Sequence, residues 1–166
     1  MITDWLEISK RIGAICDDGS EAGGDSFAQM AFDEILGEQW IRHTVDYVLS
    51  FKPGSETALG CLKLIHSKRA AEYSYHSYKT SKGERAEQAV YVIKHIAHPV
   101  AFDWIEEFLS DENVMHTGLG VLDQLLWAEQ ILYDERVQSL FNLAIEVSNG
   151  QLKEQVEFIK SYLNQS

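Results

Sequence analysis

Six histidines, His43, His66, His76, His95, His98 and His116, are the first candidates for chemistry in this chain. His95 and His98 stand three residues apart, a spacing that can aim two imidazoles at one metal ion. Pro99 follows at once and ends the helix there, which speaks against a metal at this pair. Asp103, Glu106 and Glu107 could be imagined as carboxylates for acid–base work. Beside Trp104 and Phe108 on one helix, they read instead as its solvated face. The acids of Asp17-Asp18-Gly19-Ser20-Glu21-Ala22-Gly23-Gly24-Asp25 lack the ordered spacing and final glutamate of a calcium loop. Gly118-Leu119-Gly120 has no third glycine at dinucleotide spacing and no strand before it, so it signals close packing. Cys16 and Cys61 lie far apart and outside any CxxC pattern, as reduced thiols do, with Cys61 expected in the core. No catalytic residue, no metal ligand set and no cofactor are expected.

The elements that would position any site are helices. Thr3 can cap a helix over Asp4 to Ile15, with Trp5, Ile8, Ile12 and Ile15 on one face. The glycine-rich, acidic stretch 17–25 reads as a mobile loop. A helix from Ser26 to Leu36 follows, with Phe27, Met30, Ala31 and Ile35 inward, and Gly37 ends it. Paired helices then run over 38–50 and 55–66, 68–79 and 84–97, 100–109 and 112–127, and 133–147 and 150–163. Pro53-Gly54, Gly83, Pro99 and Asn149-Gly150 separate them, and Asp111 is placed to cap the helix from Glu112. No segment alternates with period two, so the expected fold class is all-α. At 166 residues and 45% hydrophobic content, the chain suits a single domain, 1–166. Its parts are an N-terminal helical extension over 1–37 and the paired helices over 38–166.

Four stretches share one apolar pattern: Leu59 to Ile65, Val90 to Ile96, Leu119 to Leu125 and Val156 to Tyr162. Aligned on Cys61, Val92, Val121 and Phe158, they recur at intervals of 31, 29 and 37 residues. Periods of this size mark stacked two-helix units, each too small to bury its apolar face alone. Val92, Ile93, Val121, Leu122, Phe158 and Ile159 are therefore expected to be buried.

The run Trp104-Ile105-x-x-Phe108-Leu109-x-Asp111-x-x-Val114-x-x-x-Gly118-Leu119-x-Val121-Leu122-x-x-Leu125-Leu126 resembles a HEAT-like repeat. The likeness is good over Trp104 to Trp127 and loose over 38–165. It implies a right-handed α-α superhelix of about four helix pairs, inner helices lining a concave face, and protein–protein contact rather than a reaction. HEAT repeats carry an arginine after the valine. Here that position is Met115, and Ser55, Ala86 and Leu152 stand at the aligned places, so the aspartate–arginine ladder is absent, and ARM-like or unclassified α-α repeats stay open as alternatives. HEAT-like enzymes also exist. No His-Glu dipeptide occurs, against the di-iron hydroxylases; Tyr91, Lys94 and Trp127 on the concave face faintly resemble what a nucleobase-acting member needs.

Charge helps to choose. The net charge is −12, with ten acids and three bases over 1–50, four and eight over 51–100, and twelve and three over 101–166. A field of this sign repels nucleic acid and steers a basic partner, although acidic surfaces also serve solubility alone. There is no apolar run of about 18 residues for a membrane span. Met1-Ile2-Thr3-Asp4-Trp5 does not open as a signal peptide does, so cytoplasm is expected. Opposite the apolar arc of the inner helices lies a polar stripe, Tyr91, Lys94, His98, His116, Asp123 and Trp127. It is the expected partner-binding surface, because Tyr and Trp on a polar face anchor interfaces. Trp127 has a second reading as a core residue folded over the loop near Ile131 and Leu132. The basic, tyrosine-rich helix 68–79 is the next candidate surface. Its residues suit stacked bases, and they equally suit a helix that buries tyrosine rings and leaves the hydroxyls wet. The expected function is a non-catalytic protein-binding module, of inhibitor or immunity type against a basic protein. The alternative is an enzyme acting on a nucleobase or small molecule in the concave face.

Overall fold

Gly37 is the first punctuation mark that the backbone obeys. Its φ of 73° and ψ of 167° interrupt α1 (Ser26–Val48) with a kink that an L side chain would strain. The computed structural model describes residues 26–163. The helix expected over Asp4 to Ile15, the loop 17–25, Cys16, and the side chains of Phe27, Met30 and Ala31 lie outside the described residues. After α1 come α2 (Ser55–Ile65), α3 (Lys68–Thr80) and α4 (Glu84–Ile96). A 3-10 helix (Pro99–Trp104) leads into α5 (Ile105–Ser110), followed by α6 (Met115–Trp127), α7 (Glu135–Val147) and α8 (Lys153–Leu163). The described residues contain no strand and no helix long and apolar enough to cross a membrane.

Each helix packs on its partner in the chain: α1 on α2, α3 on α4, α5 on α6 and α7 on α8. The first helices of successive pairs also touch (α1 with α3, α3 with the 3-10 helix, α5 with α7), as do the second helices α2 with α4 and α4 with α6. The core runs through these contacts. Leu59, Val90, Leu119 and Val156 are buried at one shared position, and Leu62, Ile93, Leu122 and Ile159 at another. Val92 and Val121 are buried as expected; Phe158 is not, with 65% of its surface exposed. Cys61, Val92 and Val121 hold the equivalent position in helices that a further pair follows, whereas no pair follows α8 among the described residues. Ile35 is likewise 78% exposed rather than inward. It lies just before the Gly37 kink, next to Asp33 and Glu34, which meet Arg69.

Close approach explains Gly118. A Cβ built there would lie 2.6 Å from the Cβ of Phe108 and 3.2 Å from its carbonyl carbon, so α6 can lean on α5 only without a side chain. Several boundaries move; the helices expected from Tyr133 and Gly150 begin at Glu135 and Lys153. The segment after Pro99 opens as a 3-10 helix, because the His98 ring accepts from the Val100 N–H at 3.1 Å and Ala101 N–H bonds back to His98 O. Asp111 does not cap a helix at Glu112. Its carboxylate holds a turn through Asn113 N–H at 3.0 Å, and α6 begins at Met115.

Tyrosines tie neighbouring pairs together. Tyr75 stacks flat on Trp104 with centroids 4.3 Å apart, and Tyr78 meets Phe108 edge-on at 5.1 Å. Their hydroxyls donate to Glu107 (2.5 Å) and Asp111 (3.1 Å), and Tyr73 donates to Asp46 (3.0 Å). Burial pushes the Tyr75 hydroxyl up to about 12, with Glu107 adding to it, so it stays a donor. Burial alone would raise the Asp111 carboxyl, but bonds from Asn113 and Tyr78 outweigh it and hold the group below its usual range. Of the aligned positions, Met115, Ala86 and Leu152 are buried apolar side chains, and Ser55 is half-buried with its hydroxyl donating to Lys52 O.

Candidate interaction surface

The C-terminal end of α6 is fixed without a glycine. Glu129 takes a left-handed φ of 55°, and the N–H groups of Ala128, Glu129 and Gln130 bond back to Gln124, Leu126 and Leu125. Asp134 then caps α7 by accepting from Val137 N–H at 2.9 Å. Tyr133 donates to Gln138 at 2.6 Å, so the connection is pinned at both ends. On this connection Leu132 is 83% exposed, and Trp127 at the end of α6 is 68% exposed.

α8 completes the wall. Tyr162 donates to the Asp123 carboxylate at 2.5 Å and meets Trp127 edge-on, centroids 5.4 Å apart. Burial raises the Tyr162 hydroxyl above its ordinary range, and the bond to Asp123 raises it further, so the phenol keeps its proton. Leu126, Trp127, Ile131, Leu132, Tyr133 and Tyr162 enclose most of an open cleft of about 800 Å³. Trp127 thus lines a cleft at the surface instead of folding into the core.

The structure brings part of the polar stripe together. Asp123 and Trp127 meet through Tyr162, and Lys94 lies across α6 against Gly120, where an added Cβ would sit 3.2 Å from Nζ. Tyr91 is half-buried against His95 with centroids 4.3 Å apart, and His116 is exposed near the start of α6. His98 is occupied differently, capping the 3-10 helix and facing His66 with ring centroids 5.2 Å apart. His95 and His98 therefore turn to different neighbours. Among the described residues no three His, Cys, Asp or Glu side chains converge as metal ligands would. Asp103 pairs with Arg136 at 3.2 Å, and Glu107 is held by Tyr75 and Lys79. The tyrosines of α3 are committed to packing, as described above, and Arg69 and Arg85 of that region are paired with acids of α1.

No family model matches the chain, and neither a curated protein nor a solved structure is similar to it. Sequence reasoning missed Tyr162 and Phe158 as surface groups. One signal was present: Tyr162 replaces Ile65, Ile96 and Leu125 of the earlier pairs, all buried aliphatics. A phenol at such a place needs a polar outlet, which Asp123 supplies.

His98 sets a dependence on pH. Burial first, then His66 and Lys68, lower its pKa from 6.5 to about 4, while Glu72 and Asp33 oppose the shift. His66 Nε2 meets the Ala97 carbonyl at 2.9 Å and so carries the proton there. The unfolded chain binds a proton at His98 below about pH 6.5 and the folded chain only near pH 4, so stability falls as pH drops through that window. The urea midpoint should decrease from pH 7 to pH 4.5, and by less in His98→Asn, which keeps an acceptor for Val100 N–H. Equal decreases in the two proteins would remove His98 as the cause.

Proposed function

We propose that this chain is a HEAT-like repeat protein, a right-handed superhelix of about four helix pairs with an N-terminal helical extension, that works in the cytoplasm as a non-catalytic protein-binding module. The pairwise contacts between successive helices support this reading, since such stacks offer a long continuous face for contact. The net charge of −12 favours a basic protein as partner, as an inhibitor or immunity-type protein would require.

One observation carries the proposal: Trp127 stands 68% exposed on a pinned frame, among further exposed apolar groups and next to the Asp123–Tyr162 pair. Isolated exposed hydrophobics are ordinary; a contiguous set on a rigid support marks a contact site. Lys94, Asp123 and Trp127 form the centre of the contact, with Tyr91, His98 and His116 at its margins. The test uses the partner recovered by affinity capture from native cytosol. Trp127→Ala should weaken its binding by ~2 kcal/mol or more, read by calorimetry, while the melting temperature stays nearly unchanged. Intact binding with a lowered melting temperature would assign Trp127 to the fold instead.

A further inference from the structure

Cys61, Val92, Val121 and Phe158 occupy one position on α2, α4, α6 and α8. The first three are fully buried, each in a helix that another pair follows, and Phe158 is 65% exposed. Phe158 touches Tyr162 at 6.1 Å, and Tyr162 touches Trp127 at 5.4 Å. The uncovered face of α8 is therefore continuous with the cleft that presents Leu132. Among the described residues no helix covers it, whereas the equivalent face of α2, α4 and α6 is covered.

We propose that this face seats one amphipathic helix of a partner protein, apolar toward Leu132, Trp127 and Phe158 and lined with lysine and arginine at its edges. The inference rests on the protein-binding reading above and names the class of partner. The occupant is helical because the described residues contain no strand edge to extend, while ridges of a helix fit the grooves of helices. Its charge follows from the rim. Glu129 lines the cleft, Asp134 and Glu135 are exposed just after its Tyr133, and Glu154 and Glu157 are exposed on α8. Three cations lie on the same elements, Arg136 paired with Asp103, Lys160 near Glu157 and over the Phe141 ring, and the exposed Lys153 at the start of α8, so the five acids outnumber them. A second copy would bring two such acidic rims together. Residues 1–25 are also a poor match, with six acids against two bases. A basic helix meets both the apolar floor and the acidic rim.

Three synthetic 18-residue probes test the proposal on the whole chain at low salt. One has a leucine face with lysine and arginine edges, the second the same face with glutamate edges, and the third the basic composition in scrambled order. The basic amphipathic probe should bind at least tenfold tighter than either control, by calorimetry and tryptophan emission. Leu132→Ser and Phe158→Ser change exposed side chains, so they should keep the melting temperature and each weaken that probe at least tenfold. Equal binding of the glutamate probe, or an unchanged affinity in both serine variants, would overturn the proposal. So would a dimer in sedimentation that the serine variants dissolve, because a second copy would then own the face. If the serine variants leave probe binding intact while Trp127→Ala still loses the captured partner, this inference fails and the binding-module reading survives. If Trp127→Ala keeps the partner as well, both fail.

Discussion

Replacing Leu122 by alanine should lower the stability of the chain by about 2–5 kcal/mol, the usual range for a leucine truncated in a packed core. Leu122 is fully buried at the centre of α6, the helix that packs against both α4 and α5. Its equivalents Leu62, Ile93 and Ile159 are buried too, so the side chain belongs to a row that runs the length of the core. The loss has two parts, the apolar surface no longer withdrawn from water and the cavity left behind. Helices on two sides restrict collapse into that cavity, which argues for the upper half of the range. Urea unfolding with an unchanged denaturant slope would measure it. A loss near zero would mean that the shared row is not the core.

Phe108→Ala should cost about 3–5 kcal/mol, for a related reason with an added term. Phe108 is fully buried on α5 and receives Tyr78 edge-on at 5.1 Å and Tyr75 at 6.1 Å. Removing the ring takes away both aromatic contacts as well as its own burial. The neighbouring surface of α6 cannot fill the space, because Gly118 faces Phe108 with no side chain. The Cβ kept by alanine also holds the two helices at their present separation. Tyr75 and Tyr78 would lose their support, so near-ultraviolet dichroism should fall together with the denaturation midpoint. A midpoint unchanged within error would show that the α3–α5 contact does not depend on this ring.

Much of the fold is legible in the residues that interrupt helices. Gly37, Pro53-Gly54, Gly83, Pro99 and Asn149-Gly150 stand where the backbone breaks, and Asn149 and Gly150 both take positive φ as a helix exit requires. These are local effects, set by one or two residues. What the sequence hides depends on tertiary partners. The 3-10 opening after Pro99 requires the His98 ring and the packing of Trp104 on Tyr75, which no periodicity records. The hydroxyl outlets of Tyr73, Tyr75 and Tyr78 depend on acids 27 to 33 residues away. Phe158 follows the apolar pattern faithfully and is still exposed. A repeat pattern states which side of a helix is apolar, but it cannot state whether a neighbour exists to cover that side. The candidate surface was half visible for the same reason. Asp123 and Trp127 could be named from one helix, whereas Tyr162, which joins them, lies 39 residues beyond Asp123.

The tyrosine–carboxylate pairs have a consequence for how this molecule responds to brine. A phenol donates without carrying charge, so the ties between α3 and its neighbours, and between α8 and α6, are short-range bonds that mobile ions barely weaken. Attraction between an acidic exterior and a basic guest is the opposite kind of force, long in reach and quickly screened. The scaffold and the grip thus answer to different controls. For the basic partner proposed above, raising the ionic strength should loosen the grip and leave the framework standing.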